Sequence, residues 1–66
     1  MKKRTWLIKY RNQKGLTRLE VSKLTDITQQ MYYYIENGER RPSPDLAQKI
    51  AKVLNFDWTK FFKKEK

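Results

Sequence analysis

The chain has 66 residues, enough for one small domain, and with neither cysteine nor histidine it can form no disulfide and no thiolate or imidazole metal site. The same absences remove the common nucleophile–base pairs, so the chain reads as a non-enzyme that needs no cofactor. Sixteen Lys and Arg against seven Asp and Glu leave a net charge of +9, which draws polyanions through counterion release.

The start, Met1-Lys2-Lys3-Arg4, is basic, but the apolar run Trp6-Leu7-Ile8 is too short for a signal segment or a membrane span. A cytoplasmic protein without a membrane partner is the expectation. Residues 1–4 and 63–66 read as frayed ends of a single domain over residues 1–66. The first helix is predicted from about Arg4 to Lys14, with Leu7 and Tyr10 inward, stopped by Gly15.

Thr17-x-x-Glu20 is a capping box that opens a second helix, running to about Thr25 with Val21 and either Leu24 or Thr25 inside. Thr28 then caps a third helix that extends to about Glu36, with Tyr32 and Ile35 inward and Asn37-Gly38 as its stop. Asp26, in the turn between these two, tolerates a left-handed backbone less well than glycine, so a mildly strained turn is expected.

Pro42 closes the following turn, and Ser43-Pro44-Asp45 supplies a cap, a proline at the first helical position and an acid in the first turn. Leu46, Ala47, Ile50, Val53 and Leu54 form the inward stripe of this fourth helix. Asp57 caps a fifth helix carrying Trp58, Phe61 and Phe62. The predicted fold is a compact all-α bundle of five helices. Its second and third helices are spaced like a helix-turn-helix.

Four motifs now stand in order: Thr17-x-x-Glu20-Val21-Ser22, Ile27-Thr28-Gln29-Gln30, Ile35-Glu36-Asn37-Gly38, and Pro42-Ser43-Pro44-x-Leu46-Ala47-x-x-Ile50-Ala51. Together they resemble the Xre-type helix-turn-helix group, the DNA-binding domains of lambdoid phage repressors and Cro proteins, from about Leu7 to Phe62. Asp26 departs from the group's usual glycine, Ser22 from its usual alanine, and Leu19 from a usually polar position.

The resemblance implies that the third helix reads double-stranded DNA. Gln29 and Gln30 are then the first base readers, because a glutamine amide offers a donor and an acceptor side by side, as adenine requires. Tyr34, Tyr33 and Met31 follow as further base contacts. Arg18, Thr28, Asn37, Arg40, Arg41 and Lys14 are expected at phosphates, where they fix register without reading sequence. Arg11 and Glu36 match a partly buried ion pair between the first and third helices. Trp58, Phe61 and Phe62 are the candidate surface for a homodimer, unless they simply complete the core. The expected function is a sequence-specific regulator, a repressor on an inverted repeat, with no small-molecule ligand. Two rivals remain: an antitoxin-like protein-interaction module, and a binder of nucleic acid by charge alone.

Overall fold

Helix boundaries in this chain follow from what its backbone can satisfy locally. A computed structural model describes residues 3–63 and contains α1 (Thr5–Gln13), α2 (Arg18–Leu24), α3 (Gln29–Glu36) and α4 (Pro44–Leu54), followed by a 3₁₀ turn, Trp58–Phe61. No strand occurs among the described residues, and no described helix is long and apolar enough to cross a membrane. Met1, Lys2 and residues 64–66 of the expected frayed ends lie outside the described residues.

Each start after α1 is a side-chain cap. The Thr17 hydroxyl accepts from the Glu20 N–H at 3.1 Å, and the Glu20 carboxylate accepts from the Thr17 N–H at 2.8 Å, completing the capping box. Thr28 accepts from Met31 N–H at 3.1 Å, and Ser43 from Leu46 N–H at 3.2 Å. Asp57 accepts from the Thr59 N–H at 3.0 Å and from its hydroxyl at 2.8 Å. Those bonds hold the exposed Asp57 carboxyl below its usual range. α1 alone starts without a side-chain cap.

The ends share one device. The residue after the last helical turn takes a left-handed backbone at Gly15 (φ 70°), Asp26 (φ 61°), Gly38 (φ 81°) and Asn55 (φ 64°). In each case the next amide reaches back five residues: Leu16 N–H to Arg11, Ile27 to Ser22, Glu39 to Tyr34, and Phe56 to Ala51, at 2.9–3.2 Å. This is the Schellman closure, which satisfies carbonyls that the helix leaves free. Asp26 therefore adopts the strained conformation expected of it, and Asn55 adds a second non-glycine case.

The core is Leu7, Val21, Tyr32, Ile35, Ala47, Ile50, Leu54 and Phe61, drawn from every helix and from the 3₁₀ turn. Thr25 is the inward residue at the end of α2, whereas Leu24 is 61% exposed. Two expectations need correction. The fifth helix is a single 3₁₀ turn of four residues, because Phe61 already inserts into the core at its end. Phe61 is thus unavailable to a dimer surface: it is 6% exposed, with Trp6, Phe56 and Phe62 rings 5.2, 5.7 and 6.4 Å away.

Candidate nucleic-acid interface

α2 and α3 meet closely because the residues between them are small or self-satisfied. Ser22 and Thr25 are both buried. Their hydroxyls donate to α2 carbonyls, Ser22 to Leu19 at 2.7 Å and Thr25 to Val21 at 2.8 Å. Neither polar group then needs a partner on α3.

The far end of α3 is held by charge. Glu36 is 2% exposed and its two oxygens are both engaged. Arg11 Nε of α1 lies 2.5 Å from Glu36 Oε2, and Arg18 Nε of α2 lies 3.0 Å from Glu36 Oε1. Arg11 Nη1 also donates to the Leu16 carbonyl at 2.9 Å. One carboxylate therefore ties three helices together. A buried charge is tolerated only when its hydrogen bonds are met in this way.

A second tie comes from Arg4. Its N–H donates to the Glu36 carbonyl at 2.8 Å, and Nη1 donates to the carbonyls of Ile35 at 2.6 Å and Arg40 at 3.0 Å. The guanidinium sits 5.6 Å from the centre of the Phe61 ring. Burial, and then repulsion from Arg41, lower its pKa from the ordinary value. Arg4, expected within a frayed start, instead fastens the loop after α3.

On this anchored helix, Gln29 and Gln30 are both exposed, at the first two helical positions. Gln30 Nε2 donates to the Tyr34 hydroxyl at 2.8 Å, one turn along. Tyr33 is 41% exposed, and its ring carries the Arg18 guanidinium 5.4 Å above its centre. Tyr34 is half-buried, with Arg40 5.9 Å from its ring centre, and the two tyrosine rings lie 6.1 Å apart. The exposed side of α3 is therefore a row of cation, aromatic, aromatic and cation, with an amide at its start.

Met31 is half-buried and packs against the core. Thr28 is exposed, with its hydroxyl committed to the helix cap. Asn37 is half-buried, and its amide donates to the Glu39 carboxylate. Arg40, Arg41 and Lys14 are exposed, with Lys14 at the end of α1. Trp58 and Phe62 are half-buried, edge to face at 5.9 Å. Three features escaped the sequence reading: the clamp by Arg4, the bond from Arg18 to Glu36, and the bond between Gln30 and Tyr34. Only the last left a signal, since Gln30 and Tyr34 stand four apart on a helix.

Two short helices joined by a four-residue turn, the second presenting an exposed amide pair, match a described family of proteins. A helix-turn-helix family model covers residues 7–61, from within α1 to the end of the 3₁₀ turn. The chain belongs to the helix-turn-helix family. Within that family it carries the Xre or lambda-repressor-like arrangement. One similar relative is the "Uncharacterized HTH-type transcriptional regulator YqaF" of Bacillus subtilis (strain 168). It is 49% identical over 59 residues, which are 89% of this chain and 78% of that protein. α2 and α3 are the two helices of the helix-turn-helix motif.

Proposed function

We propose that this helix-turn-helix protein is a cytoplasmic, non-enzymatic repressor that binds an inverted repeat in double-stranded DNA as a homodimer. The observation that carries this reading is the exposed Gln29–Gln30 pair at the start of an α3 that is anchored at its other end. Those amides have the donor and acceptor geometry that base edges require, and an anchored helix presents them without a backbone ordering cost. Tyr33, beyond the pair, offers its exposed ring to thymine methyls, and Met31 only the part of its side chain that the core leaves uncovered. Arg40 and Arg41, with Lys14, Thr28, Asn37 and the exposed part of Arg18, form the phosphate-binding rim.

Dimerisation is inferred from the half-exposed Trp58 and Phe62, which leave apolar area at the end of the chain's last turn. A two-fold dimer would place its recognition helices in successive major grooves, about one helical turn apart.

The test is selection of random duplex DNA on the protein at about 150 mM salt, followed by sequencing. An enriched inverted repeat is the expected outcome. On that operator, Gln29→Ala and Gln30→Ala should each lose about 1–3 kcal/mol of discrimination at particular base pairs. Retention without enrichment would instead favour binding by charge alone. Absence of retention, with a stoichiometric protein partner recovered, would favour the antitoxin-like alternative.

A further inference from the structure

We infer that Tyr34 is a specificity-determining residue that acts through Gln30, restricting it to adenine and excluding guanine. The inference rests on Gln30 being a base reader, as proposed above.

A glutamine amide has two N–H donors and one carbonyl acceptor with two lone pairs. Adenine presents an acceptor, N7, beside a donor, the N6 amino group; guanine presents two acceptors, N7 and O6. A free glutamine can meet either purine. It can offer one N–H and the carbonyl to adenine, or both N–H groups to guanine. In this protein one of the two N–H groups is already committed, because Gln30 Nε2 donates to the Tyr34 hydroxyl at 2.8 Å. With the N–H that points away from the carbonyl given to Tyr34, what remains is one donor and one acceptor side by side, the complement of adenine and half of what guanine needs.

The hydroxyl can hold that amide only if the tyrosine itself is fixed, and it is braced at both ends. Its ring lies under the Arg40 guanidinium, 5.9 Å from the ring centre, with the Tyr33 ring 6.1 Å away on the same helix. Its carbonyl accepts from the Glu39 N–H at 2.9 Å and the Arg40 N–H at 3.3 Å. The Arg40 carbonyl in turn receives Arg4 Nη1 at 3.0 Å. Arg40 thus links a phosphate-side position to the orientation of a base-reading amide. Tyr34 acts here as a positioning residue: its hydroxyl oxygen accepts from Gln30, while its own O–H stays free to donate.

The experiment uses the full chain and its selected operator. Each base pair of the half-site is replaced in turn, and binding is measured for wild type, Gln30→Ala and Tyr34→Phe. Tyr34→Phe keeps the ring under Arg40 and removes only the hydroxyl, which lies on the exposed side of α3, so its melting temperature should match wild type. At the pair read by Gln30, wild type should prefer adenine over guanine by about tenfold or more. Tyr34→Phe should bring that ratio to within about threefold, chiefly by improving binding to guanine, with preferences elsewhere unchanged.

An adenine-to-guanine ratio in Tyr34→Phe equal to wild type, at a pair where Gln30→Ala does abolish the preference, would overturn the role of Tyr34 and leave Gln30 as reader. A Gln30→Ala variant with an unaltered preference at every pair would overturn the reading of Gln30, and this inference with it.

Discussion

Tyr32 is the residue on which burial and chemistry disagree most. Its ring is fully buried in the core, and its hydroxyl lies beside the Glu36 and Arg11 side chains without a well-formed hydrogen bond to either. A buried polar group without a partner forfeits its hydration, a cost of about 1–3 kcal/mol. Tyr32→Phe keeps the ring and removes the orphan, so we expect it to raise stability by about 1 kcal/mol, read as an increase in melting temperature. A pH dependence follows from the same burial. Desolvation first, and then the Glu36 charge, push the hydroxyl's pKa well above its ordinary 10.0. The unfolded chain therefore ionises at this tyrosine before the folded one does. The stability is intact below the unfolded pKa and falls as pH rises beyond it. The melting temperature of Tyr32→Phe should drop less than that of wild type between about pH 9 and about pH 11.

Among the elements, α3 is the one the rest of the fold exists to hold, and Glu36 is where it is held. Glu36→Gln leaves the Arg11 guanidinium, 12% exposed, without a countercharge. We expect a loss of about 3 kcal/mol in denaturant unfolding. Arg18→Ala, which removes a side chain 42% exposed, should cost less than about 1 kcal/mol. How far these elements were legible in the sequence follows from how local their causes are. Thr17, Thr28, Ser43 and Asp57 could be read as caps because a cap bonds only two or three residues ahead. Gly15 and Gly38 announced their left-handed ends, while Asn55 used the same closure without a glycine to mark it. Arg4 gave no local sign, since its partners at Ile35 and Arg40 are 31 and 36 residues away. The choice between Leu24 and Thr25, and the inward turn of Phe61, were likewise decided by neighbours from other helices. Of the candidate site, the order of base-facing residues came from resemblance. The pairing of Gln30 with Tyr34 needed the helix itself, because spacing allows that bond without requiring it.

Across the described residues, most of the acids are engaged locally while many bases stay free. Glu20 and Asp57 sit in caps, Glu39 bonds Asn37, and Glu36 is shared by two arginines, whereas Lys14, Arg40 and Arg41 remain exposed in a chain of net charge +9. On the selected operator, Arg40→Ala and Arg41→Ala should both weaken binding; Arg41→Ala should do so about equally on all sequences, whereas Arg40→Ala, which releases the Tyr34 ring, should also narrow the adenine preference at the pair read by Gln30. Each should make the plot of log affinity against log salt shallower by about one unit, measured by titration between 50 and 200 mM salt. The aromatic cluster around Trp6 has a practical consequence of its own. Trp6 meets Phe56 and Phe61 edge to face at 5.4 and 5.2 Å, with Lys60 Nζ 5.5 Å from its ring centre. The second tryptophan, Trp58, is in the 3₁₀ turn, and neither belongs to α2 or α3. Indole emission from Trp6 therefore reports on the core, and both tryptophans lie outside α2 and α3. Unfolding can be followed optically with and without an oligonucleotide present, from one intrinsic signal.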